Sequence, residues 1–250
     1  MTAWKDFIDQ YPNGALYCFR GGLRSKITQQ WIYDEFKINY PRIGGGYKEM
    51  RSFLMAELES MSTSLNSFVI GGRTGVGKTN FLAQFENNFI DLEAAAHHRG
   101  SAFGTRVKEQ PTQINFENLL TVWMMQKRKE DPRTLLLFED ESRTIGSVHL
   151  PIKFLEAFLS QKLIILEGEL EDRVNTTLAS YVLDSLNEYI EKHGEDNGFQ
   201  MWKNYLLNSL FKIQKKLGME LYERLKIEME GAFAIHADSG DVAAHRTWYE

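Results

Sequence analysis

The stretch GRTGVGKT, residues 72–79, decides the fold of the larger part of this chain. It holds every fixed position of the phosphate-binding pattern G-x-x-x-x-G-K-[ST]. An apolar run over residues 66–70 predicts a strand before it, and apolar side chains at helical spacing predict a helix over residues 78–85. Strand, glycine-rich loop and helix in this order indicate a P-loop, the alternative being a chance match in a surface loop.

A diphosphate is the ligand that we expect in this loop. Backbone N–H groups of residues 73–79 would surround it, and the Lys78 ammonium would neutralise it. The Thr79 hydroxyl could reach a metal ion, so Mg²⁺ is a candidate cofactor, although the sequence assigns no metal ligands. The predicted diphosphate-binding residues are Gly72, Arg73, Thr74, Gly75, Val76, Gly77, Lys78 and Thr79.

A second anion-binding loop is predicted at CFRGGLRS, residues 18–25, between an expected strand over 15–19 and an expected helix over 25–36. Two glycines between Cys18 and Arg24 let backbone N–H groups turn inward. Together with Arg20 and Arg24 they should lower the pKa of the Cys18 thiol and keep it as a thiolate nucleophile. Cys18, Arg20 and Arg24 are therefore the predicted catalytic residues, the alternative being an inert, buried cysteine.

Composition narrows the class of protein. The chain has 250 residues, of which 43% are hydrophobic, enough for one large domain and an incomplete second one. It has no apolar run near the roughly 18 residues that span a bilayer and no signal-peptide pattern, so we expect a soluble, cytoplasmic protein with no membrane partner. A single cysteine excludes an internal disulfide.

Charge gives a weaker indication of the partner. The net charge is −5 and the pI is about 5.8, which argues against a basic surface over the whole protein. Cations outnumber acids between residues 20 and 51, where they could follow a phosphate backbone. An ordinary solvated surface explains that stretch equally well.

The order of the predicted elements indicates an α/β fold. Strands over residues 68–70, 89–92, 135–138 and 163–166 alternate with helical segments, which predicts a parallel sheet of P-loop type with flanking helices. Helices over 170–190, 199–214 and 217–229 predict a helical C-terminal region. A strand is also expected over 37–43, before the glycines at 44–46.

We expect four segments along the chain. Residues 1–43 form the unit that carries Cys18, and residues 44–62 a linker and connecting helix with a flexible glycine joint. Residues 63–168 form the P-loop domain and residues 169–250 the helical C-terminal region.

Polar residues beyond the expected strands are candidates for the active site, because ligands of parallel sheets bind at the carboxyl ends of the strands. One of the acids could hold a divalent cation or act as a base, and the others could cap helices. The histidine-containing loop after the second strand is predicted to be an active-site loop that binds no zinc. An arginine after the last strand is predicted to contact phosphate. These candidates are Asp91, Glu93, His97, Arg99, Glu139, Asp140 and Arg173.

Five motifs in order resemble the tRNA 2-selenouridine synthase family: CFRGGLRS, GGYK at 45–48, GRTGVGKT, DLEAAAHHRGSAFG at 91–104 and FEDESRTIGSVHLP at 138–151. The resemblance runs from about residue 15 to the end. It implies a rhodanese-like domain joined to a P-loop domain and activity on tRNA with 2-thiouridine at the wobble position. The implied co-substrates are geranyl diphosphate, which alkylates the sulfur, and selenophosphate, whose selenium then replaces geranylthiol.

The same resemblance implies roles for both loops. The P-loop would hold the departing diphosphate, and Cys18 would carry selenium as a transient selenylated thiol, with Arg20 and Arg24 binding the anionic donor. A selenophosphate-supplying enzyme is an implied partner. Family members have more strands before the cysteine loop and a tyrosine-rich tail, so we expect a chain shortened at both ends, with an incomplete rhodanese-like unit and impaired selenium transfer.

Other classes of function remain open at this point. A P-loop kinase or NTPase would use residues 72–79 and leave Cys18 without a role. A phosphatase would use the cysteine loop, although no histidine directly precedes Cys18 and no proton donor is evident. A degenerate tRNA-binding remnant would bind tRNA without modifying it.

Overall fold

The computed structural model describes residues 2–20 and 22–249 and divides the chain into two compact units, Met1–Met61 and Ser62–Glu250. The finer division into four segments stays a prediction.

Helices dominate the first unit. They are α1 (Thr2–Gln10), α2 (Leu23–Phe36) and α3 (Tyr47–Thr63), the last of which continues across the unit boundary. Ile8, Ile32 and Tyr40 form a small buried core. The predicted helix after the cysteine loop is confirmed by α2, and α1 was not predicted.

The predicted strands over 15–19 and 37–43 are wrong. The two segments meet at an isolated parallel bridge between Leu16 and Arg42. The Leu16 N–H donates to the carbonyl of Pro41 over 2.7 Å, and the Ile43 N–H donates to the carbonyl of Leu16 over 2.8 Å. Since Pro41 has no N–H to donate to the carbonyl of Gly14, the ladder cannot extend toward the N-terminus, and the turn at residues 44–46 ends it on the other side.

A parallel sheet organises the second unit, as predicted. The strands are β1 (Ser67–Gly72), β2 (Phe89–Ile90), β3 (Leu136–Glu139), β4 (Thr144–Ile145), β5 (Val148–His149) and β6 (Lys162–Leu166). The sheet has the order β2-β3-β1-β6 with every pair parallel, while β4 and β5 form a separate antiparallel hairpin. Ile70 pairs with Glu139 and Gly72 with Leu166, so the carboxyl ends of three strands share one edge.

Helices and an aromatic cluster accompany the sheet. The helices between the strands are α4 (Lys78–Ala83), α5 (Leu92–Ala96), α6 (Gln113–Lys127) and α7 (Ile152–Leu159). Phe138 of β3 lies edge-on to Phe154 and Phe158 of α7, with ring centroids 5.6 and 5.8 Å away. All three rings are buried, which fixes α7 against the central strand.

The predicted C-terminal helices are present, and a second core lies among them. They are α8 (Leu170–Thr177), a π-helical stretch (Leu178–Asp184), α9 (Ser185–His193), α10 (Glu195–Leu217), α11 (Met219–Ser239) and a 3-10 helix (Val242–Trp248). Trp202 is fully buried at the centre of this core. Among the helices of the described residues, none is long and apolar enough to cross a membrane.

Candidate functional site

The P-loop joins the end of β1 to the start of α4 and forms one wall of a cavity of about 750 Å³. Gly77 takes a left-handed conformation immediately before α4, where φ is 84°. This wall includes Gly72, Thr74, Gly75, Gly77, Lys78 and Thr79. The predicted diphosphate-binding loop therefore surrounds a space large enough for a small-molecule ligand.

Glu139 connects the P-loop to the neighbouring strand β3. The Thr79 hydroxyl donates a hydrogen bond to Oε2 of Glu139 over 2.7 Å. Nζ of Lys78 lies 3.5 Å from Oε1 of the same carboxylate and donates to the carbonyl of Gly72 over 3.2 Å. Because Glu139 is only 6% exposed, these two contacts take the place of the water that its carboxylate oxygens would otherwise bind.

Glu93 and Glu141 join Glu139 in an acidic cluster, whose carboxylate oxygens lie within 4.8 Å of one another. Burial, helped by the charge of Glu139, raises the pKa of Glu93 to about 9. Burial also raises the pKa of Glu141 to about 7, and Lys78 opposes that rise. Such a cluster suits a hard divalent cation such as Mg²⁺, whose charge would favour the ionised carboxylates.

The remaining candidate acids differ in role. Asp91 accepts a hydrogen bond from the Ala94 N–H over 2.8 Å and caps α5, which matches the expectation that some of these acids cap helices. Burial raises the pKa of its carboxyl group. Asp140, directly after β3, lines the P-loop cavity.

Arg99 and His97 separate in the structure, although they lie in one loop of the sequence. Arg99 is 8% exposed and lines the P-loop cavity, where its Nη2 lies 2.8 Å from Oε1 of Glu188. Its other terminal nitrogen, Nη1, is buried and has no hydrogen-bond partner among the described residues. His97 instead lines a different cavity of about 620 Å³, and its Nδ1 lies 2.9 Å from the carbonyl of Glu109.

Arg173 supports the P-loop backbone. Its Nε donates to the carbonyl of Thr74 over 3.1 Å, and its own carbonyl accepts from the Thr177 hydroxyl over 2.7 Å. A Cβ on Gly75 would lie 2.3 Å from the same Arg173 carbonyl oxygen, so only glycine fits there. Helix α8 therefore fixes the path of the loop.

The cysteine loop forms its own site in the first unit. Cys18 is half-buried and lines a cavity of about 530 Å³ together with Arg24 and Ser25. Hydrogen bonds from the backbone and hydroxyl of Ser25 lower the pKa of the Cys18 thiol, and Arg24 adds a smaller effect. The Cys18 thiol lies 3.3 Å from the carbonyl of Arg20. Gly21, part of the predicted anion-binding loop, lies outside the described residues.

Gly46, one of the three glycines predicted as a flexible joint, packs against this loop. The Tyr47 N–H donates to the carbonyl of Cys18 over 2.8 Å. Gly46 has a φ of 70°, and a Cβ there would lie 2.1 Å from the Cys18 carbonyl oxygen. The GGYK motif thus needs a glycine for close approach to the cysteine loop.

Arg106, Tyr181 and Glu188 line the P-loop cavity without having been predicted there. Tyr181 lies within the helix predicted over residues 170–190, and its hydroxyl donates to the carbonyl of Arg99 over 3.4 Å. Tyr181, Asp184 and Glu188 recur at spacings of three and four, and all three line the cavity. This polar stripe was the signal that could have placed them on one helical face.

Comparison with known proteins assigns a family to the second unit and relatives to the whole chain. A family model described as the tRNA 2-selenouridine synthase AAA domain matches residues 65–250. The tRNA 2-selenouridine synthase of a Pseudomonas fluorescens strain is 46% identical over 250 residues, which cover 100% of this chain and 68% of that relative. Its counterpart from Bordetella petrii is 43% identical over 248 residues, covering 99% and 66% of the two chains. The chain thus spans about two thirds of the length of these relatives. No solved structure matches it.

Proposed function

The chain belongs to the tRNA 2-selenouridine synthase family, and we propose that it converts 2-thiouridine at the wobble position of tRNA to 2-selenouridine through an S-geranyl intermediate. The complete P-loop beside a partly buried acidic cluster carries this proposal, because alkylation by geranyl diphosphate releases a diphosphate. The proposal also covers the two co-substrates, the roles of the individual residues and the rhodanese-like nature of the unit that carries Cys18.

The first step is the transfer of the geranyl group. The sulfur of 2-thiouridine attacks the allylic carbon, the carbon–oxygen bond breaks, and the electron pair leaves with the diphosphate. Lys78 and the loop amides stabilise the negative charge that develops on this leaving group. Arg99 also lines the cavity and offers an unpaired Nη1 to an anion.

Mg²⁺ fits this site as a cofactor. The Thr79 hydroxyl and the carboxylates of Glu93, Glu139 and Glu141 supply the oxygen ligands that this cation prefers. When bound, the cation would neutralise charge on the diphosphate. One hydrogen bond and one ion pair already join the loop to Glu139, so Lys78 and Thr79 are held in place beside the diphosphate site.

The second step replaces the geranylated sulfur with selenium. Alkylation makes the sulfur a better leaving group, so geranylthiol departs when selenium attacks the ring carbon. Because selenophosphate holds selenium at the selenide level, the balanced role of Cys18 is to release it. The Cys18 thiolate, which the Ser25 hydrogen bonds favour, attacks phosphorus, the phosphorus–selenium bond breaks, and selenide leaves with the electron pair to attack the ring carbon. Water then removes the phosphoryl group from the sulfur as phosphate. Arg20 and Arg24 bind the anionic donor. An enzyme that makes selenophosphate is the expected partner, and the tRNA substrate places the reaction in the cytoplasm.

Mass spectrometry of the wobble nucleoside tests the proposal. The purified chain is incubated with thiolated tRNA and geranyl diphosphate, and selenophosphate is added in a second reaction. We expect a mass gain of one geranyl group in the first reaction. In the second we expect only a small fraction of 2-selenouridine, in line with the impaired selenium transfer that the sequence predicts, and complete conversion would contradict that prediction. An unchanged nucleoside together with sustained ATP hydrolysis would instead establish the P-loop NTPase alternative. Binding of tRNA without any modification would establish the degenerate tRNA-binding remnant.

A further inference from the structure

A smaller cavity of about 200 Å³ lies beside the P-loop, and the proposed chemistry at the diphosphate does not use it. Side chains of Phe103, Leu170, Val174 and Tyr249 supply apolar and aromatic surface to its wall. Val174 is only 3% exposed. Burial also raises the pKa of the Tyr249 phenol well above its ordinary value, which keeps this ring neutral. Ser101 and Arg173 also line the cavity, but Nε of Arg173 is bonded to the P-loop backbone. The apolar part of the wall therefore suits a hydrocarbon.

The small cavity meets the P-loop cavity along a shared wall. Thr74, Thr177 and Tyr181 line both of them. Thr74 belongs to the P-loop itself, and Nε of Arg173 is hydrogen-bonded to its carbonyl, which turns this donor toward the loop. A ligand with its diphosphate in the P-loop can therefore extend past Thr74 into apolar surroundings.

The volume of the cavity sets how many carbons of such a ligand can be removed from water, and the half-exposed Leu170 leaves one side open to solvent. Because an apolar protein cavity of roughly 150 Å³ accommodates benzene, a cavity of this kind and size holds on the order of eight carbons. With the first carbons still beside the diphosphate, this corresponds to a chain of about ten carbons. A fifteen-carbon chain would need more space.

We propose that this small cavity binds the hydrocarbon chain of the allylic diphosphate and that its wall selects a chain of about ten carbons. The inference rests on the proposed function, because the diphosphate in the P-loop determines where the chain begins. The proposal thus assigns residues that select the prenyl donor, in addition to the residues that stabilise the diphosphate leaving group.

Leu170→Asp tests the assignment with little risk to the fold. Leu170 is 53% exposed and begins α8, where an acidic residue is compatible with the helix dipole. Calorimetry should show that the variant binds geranyl diphosphate about tenfold more weakly than the wild type does, because the new charge opposes entry of the chain. Affinity for inorganic diphosphate should stay unchanged.

Ile152→Asp is the matched control. Ile152 is 65% exposed and begins α7, and it lines neither cavity. This variant adds the same charge at the same helical position, so it should bind both ligands as the wild type does. An equal loss of geranyl diphosphate affinity in the two variants would overturn the assignment.

Phe103→Ala tests the selection of chain length independently. Removing the ring enlarges the cavity, so the ratio of farnesyl to geranyl diphosphate affinity should rise severalfold. Circular dichroism checks that the Phe103→Ala variant folds. If this variant does not fold, the binding data for Leu170→Asp test the cavity assignment alone. A wild type that binds inorganic and geranyl diphosphate equally well would also contradict the inference. Chain-dependent binding without any geranylated tRNA would instead refute the proposed function and leave the cavity assignment intact.

Discussion

The Thr79 hydroxyl donates a 2.7 Å hydrogen bond to Oε2 of Glu139, a residue 60 positions further along the chain. The other oxygen of this carboxylate lies 3.5 Å from Nζ of Lys78. One buried acid at the end of β3 therefore holds two successive P-loop side chains. The contact links the diphosphate loop to the acidic cluster before any ligand is bound.

Thr79→Val should weaken Mg²⁺-dependent diphosphate binding by about tenfold or more, because it removes a hydrogen bond to a charged group. Calorimetry with inorganic diphosphate, with and without Mg²⁺, measures this effect. Thr79→Ser keeps the hydroxyl and should bind within about twofold of the wild type. If both variants bind equally well, the hydroxyl has no part in the site.

Lys78→Ala and Cys18→Ala should separate the two proposed steps. The first should abolish geranylation, since the developing charge on the diphosphate loses its cation. The second should leave geranylation unchanged and stop selenium incorporation. Both products are measured by mass spectrometry of the wobble nucleoside. Geranylation at the wild-type rate in Lys78→Ala would remove the P-loop from the mechanism.

Glu93→Gln should change how stability depends on pH. The pKa of Glu93 is about 9 in the folded protein against an ordinary value of 4.5, so between these values the folded state binds more protons than the unfolded state. The free energy of unfolding should therefore fall as pH rises through this window. The variant lacks this titration, so its profile should be flatter and its stability at pH 8.5 higher by on the order of 1 kcal/mol.

Two controls accompany this measurement. Glu130→Gln alters an exposed acid outside the cluster and should retain the wild-type pH profile. Mg²⁺ at pH 8.5 should raise the Tm of the wild type more than that of Glu93→Gln, because a cation on the cluster favours the ionised carboxylates. Equal Tm shifts in the two proteins would argue against a cation on Glu93.

His245 should make the C-terminal region sensitive to acid. It is fully buried, with its Nε2 3.0 Å from Nδ1 of His236, and burial lowers the pKa of its imidazole to about 4 from 6.5. Between these values the unfolded chain binds the extra proton, so stability is lost as pH falls from about 6.5 to 4. The loss from this group should reach about 2 kcal/mol.

Urea unfolding at several pH values tests the acid sensitivity. His245→Leu should reduce the slope of stability against pH below 6.5, even if the variant is less stable at neutral pH. His149→Gln removes an exposed histidine and should keep the wild-type slope. An unchanged slope in His245→Leu would show that another group causes the acid response.

Gly75→Ala should damage the P-loop more than Gly77→Ala does. Both glycines have positive φ, 81° and 84°, so alanine is strained by roughly 1–2 kcal/mol at either position. At Gly75 the new Cβ would also lie 2.3 Å from the Arg173 carbonyl oxygen, whereas at Gly77 no atom of the described residues lies within 4 Å. Thermal unfolding of the two variants measures the difference, and equal Tm values would contradict the close packing of α8 on the loop.

Local patterns in the sequence predicted much of the second unit correctly. The P-loop motif, the apolar run before it and the helical spacing after it correspond to β1 and α4. Local patterns gave wrong predictions where the secondary structure of a segment depends on the segment that pairs with it. The segment that contains Leu16 has the pattern of a strand, yet the partner segment has Pro41 on one side of the bridge and a turn at residues 44–46 on the other, so only one bridge forms.

By itself the sequence determined the P-loop, the alternation that makes the sheet parallel and the helix after the cysteine loop, because these depend on backbone preferences and spacings within a few residues. Only the tertiary structure decided that Glu93 and Glu141 meet Glu139. It also decided that Arg99 pairs with Glu188, 89 residues further along the chain, and that Tyr249 shares a cavity with Thr74. These groups come from separate elements, and their meeting depends on how helices and strands pack, which no local pattern encodes.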